Sequence, residues 1–140
     1  MTAEEMKEIL EFKIEEGGNN FSLGERQLIC LARALIRKAK ILIMDEATAS
    51  IDEALDLKIQ EMIRNEFKDV TVITIAHRLK TIIQYDRILV LDDGKLSAFD
   101  SPHNLIKAEK GIFYELLKEN GTVFFHDMKK IAEKADIIRE

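Results

Sequence analysis

Two short apolar runs constrain this chain more than any other feature. Ile41-Leu42-Ile43-Met44 is unbroken by a polar residue, and Val70-Thr71-Val72-Ile73-Thr74-Ile75 is built mostly of β-branched residues. Runs this short suit strands covered on both faces by helices, not helices of their own. Between them, Leu57, Ile59, Met62 and Ile63 mark the apolar side of a helix over about residues 53–67. Strand, helix, strand is the repeating unit of a parallel sheet. Ile88-Leu89-Val90-Leu91 reads as a third buried strand, Asp92-Asp93-Gly94 as a hairpin turn, and Lys95 to Phe99 as the returning strand. The fold class is therefore α/β, with parallel core strands, flanking helices and an antiparallel edge hairpin.

The remaining apolar residues fall at helical spacing. Met6, Ile9, Leu10 and Ile14 predict an amphipathic helix over roughly residues 3–15, broken by Gly17-Gly18-Asn19-Asn20. Leu28, Leu31 and Leu35 predict a second, ending near the basic cluster Arg37-Lys38-Lys40. Ser101-Pro102 opens another helix, serine capping it and proline filling its first turn. Gly111 begins one that stops at Asn120-Gly121. Phe124, Met128, Ile131, Ala135 and Ile138 form a further stripe in a charged tail over residues 122–140.

Several classes are disfavoured. With 140 residues there is room for one domain, and 46% hydrophobic against 34% charged residues is the balance of a globular chain. A net charge of −5 argues against nucleic acid as a partner, because such proteins carry a basic patch or stripe. Cys30 is the single cysteine, so no internal disulfide forms. No apolar run approaches the roughly 20 residues a spanning helix needs, and the segment MTAEEMKEIL is acidic where a secretory leader would be basic. The chain itself reads as soluble.

In parallel sheets, ligands bind beyond the carboxyl ends of the strands. The first run ends in Asp45-Glu46 and the second, through Ala76, in His77. An acid at the end of an apolar strand holds Mg²⁺ for a nucleotide triphosphate, and a second acid beside it orients or deprotonates an attacking water. An imidazole on the same rim hydrogen-bonds a γ-phosphate. Ser22-Leu23-Gly24-Glu25 has the spacing of a capping box at a helix start, and the same backbone N–H groups make a phosphate site. The Glu25 carboxylate works against that second role by repelling an anion. Each feature alone also has a purely structural reading: a solvated acidic turn, a surface histidine, a cap. His103 and His126 stand outside any such pattern.

Taken in order, FSLGERQLICLARAL, ILIMDEATASID and TVITIAHRLKTI closely resemble the C-terminal half of an ATP-binding cassette, the nucleotide-binding domain of ABC transporters. On that resemblance, Ser22, Leu23, Gly24 and Glu25 match the signature motif and Asp45 the Walker B acid, holding Mg²⁺ through water. Glu46 matches the catalytic glutamate, Ala49-Ser50-Ile51-Asp52 the D-loop, and His77 the switch histidine. Leu23 in place of a glycine, the stretch Arg26 to Ala34, and YDRILVLDDGKLSAFDSPHNLI look like the second cassette of the multidrug-resistance-associated (C) subfamily. Phe21, Leu23 and Glu25 depart from the commoner residues of the motif, while serine and the second glycine are kept.

The resemblance implies ATP and Mg²⁺ as cofactors, a second cassette packed head-to-tail, the transmembrane domains of an exporter as partners, and a place on the cytoplasmic face of a membrane. Ser22, Leu23, Gly24, Glu25 and Asp52 would serve the nucleotide held by the partner cassette. Asp45, Glu46 and His77 would serve the nucleotide on this cassette's own P-loop. It also implies a helical signature portion over residues 1–40, a Walker B, D-loop and switch portion over 41–121, and the tail. No G-x-x-x-x-G-K-[ST] occurs in these residues. The Gly94-Lys95 pair is preceded at the required position by Leu89 and followed by Leu96. The chain is thus expected to begin inside the helical subdomain, with its P-loop strand missing and buried-strand surface exposed. The isolated chain is expected to be inactive as an ATPase. Two other readings are a non-catalytic cassette acting as an interaction module and, disfavoured by charge and by the Ala76-His77-Arg78-Leu79 segment, an SMC- or Rad50-like ATPase fragment.

Overall fold

The computed structural model describes residues 2–45, 53–75 and 78–139. The chain divides into two units, Met1–Ile75 and Ala76–Glu140.

The first unit runs α1 (Ala3–Glu11), α2 (Leu23–Arg37), β1 (Ile41–Asp45), α3 (Glu53–Glu66) and β2 (Thr71–Ile75). β1 and β2 pair in parallel, from Ile41 opposite Thr71 to Asp45 opposite Ile75. The N–H of Thr71 donates to the Lys40 carbonyl (3.0 Å) just ahead of that register. Alternation along the strands sends Leu42, Met44 and Val72 towards α2 and α3. There they pack with Leu28, Leu31 and Leu35 of α2 and with Ile59, Ile63 and the following Phe67 on the α3 side.

The opposite face departs from expectation. Ile41, Ile43, Ile73 and Ile75 are 58%, 69%, 51% and 59% exposed. The strands are therefore covered on one face, because among the described residues both helices of this unit that pack on the sheet lie on the same side. α1 is also shorter than its apolar spacing suggests, stopping at Glu11. Phe12 is already extended (ψ 121°). Asn20 holds the segment after it, accepting from the Glu15 N–H (3.1 Å) and donating to the Lys13 carbonyl (2.9 Å).

The second unit contains α4 (Leu79–Ile82), β3 (Ile88–Asp92), β4 (Lys95–Asp100), α5 (Pro102–Lys107), α6 (Ile112–Glu119) and α7 (Thr122–Arg139). β3 and β4 form an antiparallel hairpin through Asp93 and Gly94, both at positive φ (46° and 71°). Glycine makes the second position inexpensive. β3 was expected as a third buried strand. Among the described residues it pairs with β4 alone, and Leu89 and Leu91 are 55% and 62% exposed. The core instead gathers Ile83, Ile88, Ile106, Phe113 and Leu117 with Met128 and Ala132 of α7. The charged tail is thus a helix that buries its own apolar stripe against α5 and α6. The cap at Ser101 forms as its sequence suggests, its Oγ accepting from the Asn104 N–H at 3.2 Å, with Pro102 in the first turn.

Candidate functional site

The Ser22 segment is built by local hydrogen bonding. Ser22 is the N-cap of α2; its Oγ accepts from the Glu25 N–H (3.2 Å), satisfying one first-turn donor. Glu25 folds back, and its Oε2 accepts from the Ser22 N–H and from the Ser22 Oγ–H, both at 2.8 Å. These two bonds, the hydroxyl's first, hold the Glu25 carboxyl below its ordinary value. Among the described residues no acceptor serves the N–H groups of Leu23 and Gly24, which remain the donors an anion would find. The Glu25 carboxylate lies over that same helix end, so an incoming phosphate meets a negative charge until Glu25 swings away.

Sequence reasoning treated the glycine–asparagine cluster ahead of Ser22 as a helix breaker only. Its residues set the approach to the cap. Gly18 has φ +70°, and a Cβ there would come within 3.2 Å of Arg26 Cδ. Arg26 Nη1 donates to the Gly17 carbonyl at 3.4 Å. Phe12 and Phe21 meet edge to face, with centroids 5.6 Å apart. The signal available in sequence was Asn20, whose amide pairs both ways with the backbone, as buried or turn asparagines commonly do.

Asp45 ends β1, exposed, its side chain without a hydrogen bond or ion pair to another described residue. Its parallel neighbour β2 ends at Ile75 opposite it. The two strands therefore end at the same carboxyl edge of the sheet. Glu46, Asp52 and His77 themselves lie outside the described residues, as do Ala49, Ser50 and Ile51. No group of three metal-ligating side chains occurs among the described residues. A lone accessible carboxylate still fits Mg²⁺, which takes one or two carboxylates and completes its shell with water and substrate phosphates.

The start of α2 and the end of β1 also border one cavity of about 390 Å³. Leu23, Gln27 and Leu31 wall it on one side and Met44, Asp45 and Ile59 on the other. Its lining is mostly aliphatic, which does not suit a triphosphate. Of the candidate site residues, Leu23 and Asp45 line it.

Comparison with known proteins accords with this arrangement. The family model described as ABC transporter matches residues 1–49. The chain is 55% identical over 112 residues to the pleiotropic ABC efflux transporter of multiple drugs YBT1 of Candida glabrata, covering 80% of this chain and 7% of that protein. It is 58% identical over 112 residues to ATP-binding cassette sub-family C member 3 of Rattus norvegicus, with the same coverage. It is 54% identical over 114 residues to the metal resistance protein YCF1 of Saccharomyces cerevisiae, covering 81% of this chain and 8% of that one. A solved bacterial Atm1-family ABC exporter with ATP bound superposes with a TM-score of 0.71 at 35% identity, over 80% of this chain and 19% of that chain.

An α/β arrangement of this kind, with a capped helix leading into an acid-ended parallel strand, is that of a partial ATP-binding cassette. The chain belongs to the ABC transporter family, and its cassette is of the multidrug-resistance-associated type. It spans less than a tenth of the length of the curated relatives named here. No helix among the described residues is long and apolar enough to cross a membrane.

Proposed function

We propose that these residues form the signature, Walker B and switch portion of an exporter's cassette, in which ATP binding and hydrolysis drive transport across a membrane. Asp45 holds Mg²⁺ through water at the β1 end. Glu46, next in the chain, accepts a proton from the attacking water. His77, beyond β2, contacts the γ-phosphate. Ser22, Leu23, Gly24 and Glu25, together with Asp52, face the nucleotide of a second cassette packed head-to-tail. The transmembrane domains of the transporter are the remaining partners. Residues 1–40 act as the helical signature portion, 41–121 as the Walker B, D-loop and switch portion, and 122–140 as a charged helical tail.

The observation that carries this reading is the parallel register placing Asp45 beside Ile75. β1 and β2 thereby end at one carboxyl edge of one sheet, the edge where nucleotide phosphates bind in such folds. The phosphate cradle comes from residues outside these 140. The test is to supply a P-loop-bearing cassette half and measure Mg²⁺-dependent ATP hydrolysis. Activity that appears only with both halves, and falls for Asp45→Asn together with Mg²⁺ affinity, supports the reading. Hydrolysis indifferent to Asp45→Asn contradicts it.

A further inference from the structure

Away from the nucleotide site, the second unit holds a cavity of about 300 Å³ between α5, α6 and α7. That is the lower end of the size range of small-molecule pockets. Its floor is apolar. Ile106 is 3% exposed, and Tyr114 and Phe125 meet edge to face with centroids 5.4 Å apart. Its walls are charged. α7 lines it with Phe125, Lys129 and Glu133, each four residues on from the last. One helix face therefore presents an aromatic ring, a cation and an anion at steps of about 6 Å. α5 and the turn after it repeat the order of charge, with His103, then Lys107, then Glu109.

Lys107, Glu109 and Lys129 reach solvent, while His103 and Glu133 are half-buried. Among the described residues, none of the two lysines, two glutamates or His103 has a side-chain hydrogen bond or ion pair. Lys129 and Glu133 are nevertheless spaced to pair. Glu109 also has φ +52°. It stands just past α5, its N–H donating to the Ile106 carbonyl (3.1 Å), where glycine is the residue the backbone prefers. The same left-handed helix end occurs at Lys38 after α2; here it puts a carboxylate on the cavity rim.

We infer that this cavity binds a small aromatic zwitterion, of which a free aromatic α-amino acid is the simplest. The ring packs on Tyr114 and Phe125, the carboxylate meets Lys129 and Lys107, and the ammonium meets Glu133 and Glu109. One turn of α7 separates Phe125 from Lys129, close to the span from ring to carboxylate in such a molecule. Charges of both signs, equal in number, favour a ligand carrying both over an anion or a cation.

The chain contains no tryptophan, so the emission of L-tryptophan reports its own binding to the 140-residue protein. Saturable binding with a Kd of about 1 mM or tighter is expected. Tryptamine, indole-3-propionate and indole, which lack one or both charges, should each bind weaker by about tenfold or more. Lys129→Gln should weaken L-tryptophan and indole-3-propionate and leave tryptamine unchanged. Glu133→Gln should weaken L-tryptophan and tryptamine and leave indole-3-propionate unchanged. Glu109→Gly should raise Tm while weakening tryptamine, a combination that a purely structural glutamate would not give. The inference is overturned by no saturation at about 10 mM, by indole binding as tightly as L-tryptophan, or by variants that keep their circular dichroism and weaken every probe alike.

Discussion

Replacing Ser22 by alanine isolates the bond on which α2 starts. The hydroxyl accepts from the Glu25 N–H at 3.2 Å and donates to the Glu25 carboxylate at 2.8 Å. Alanine removes both, while the Ser22 backbone N–H keeps its own 2.8 Å bond to that carboxylate. The lost cap costs about 1 kcal/mol, within a general range of roughly 0.5–2. For a chain of this size that is a fall in Tm of roughly 3–5 °C. Ser22→Thr keeps an acceptor and should cost less, and Ser22→Gly should cost only a few tenths of a kcal/mol. The pH dependence follows from the same geometry. Glu25 is held below its ordinary 4.5, first by the Ser22 hydroxyl and then by the Ser22 N–H. Its folded pKa is depressed, so its contribution is complete above pH 4.5 and is lost as pH falls through the lowered value. Ser22→Ala should flatten that acid-side loss, because the larger of the two causes is gone. Thermal melts at several pH values, with hydrogen exchange at the Glu25 amide, read both effects. An unchanged Tm with unchanged protection at Glu25 would refute the cap, and an unchanged acid slope would refute the role of the hydroxyl in holding the carboxylate down.

Three further outcomes follow from the structure. Asn20→Ala removes the two bonds that close residues 13–20; it should destabilise by about 1–3 kcal/mol and speed hydrogen exchange at Glu15, and unaltered exchange there would speak against it. Leu117→Ala, at a fully buried position in the second unit, should cost about 2–5 kcal/mol in denaturant titrations, whereas a cost below ~1 kcal/mol would mean that the site collapses around the smaller side chain. Ile43→Lys and Ile73→Lys, on the exposed face of the parallel pair, should reduce self-association in light scattering at little cost to Tm, and a collapse in Tm would show that this face is buried after all.

Much of this geometry was legible because it is local. The capping box at Ser22, the Ser101-Pro102 helix start and the Asp93-Gly94 turn are each decided by bonds within a few residues, so short sequence patterns report them. The strand β1 and its acid end were equally plain, since apolar runs of that length have few other homes. What resisted reading depends on distant partners. α1 stops at Glu11 although Ile14 continues its apolar spacing, because the Asn20 side chain captures the backbone at Lys13 and Glu15. Ile41, Ile43, Leu89 and Leu91 look like core residues by composition, yet whether a face is covered is a property of neighbouring elements and not of the strand. α7 looked like a charged tail because its apolar stripe is thin, but Met128 and Ala132 need only a narrow seam between α5 and α6.

The central claim is that Asp45 and Glu46 divide the labour of metal binding and proton abstraction at the end of β1. It is tested most directly in a cassette completed by a P-loop-bearing half, with Mg-ATP affinity and phosphate release measured separately for Glu46→Gln. The account predicts parent-like affinity with phosphate release slowed by ~10²–10⁴, because that side chain meets the attacking water and not the metal. A Glu46→Gln protein that releases phosphate at the parent rate would contradict it and leave Asp45-Glu46 an acidic strand end.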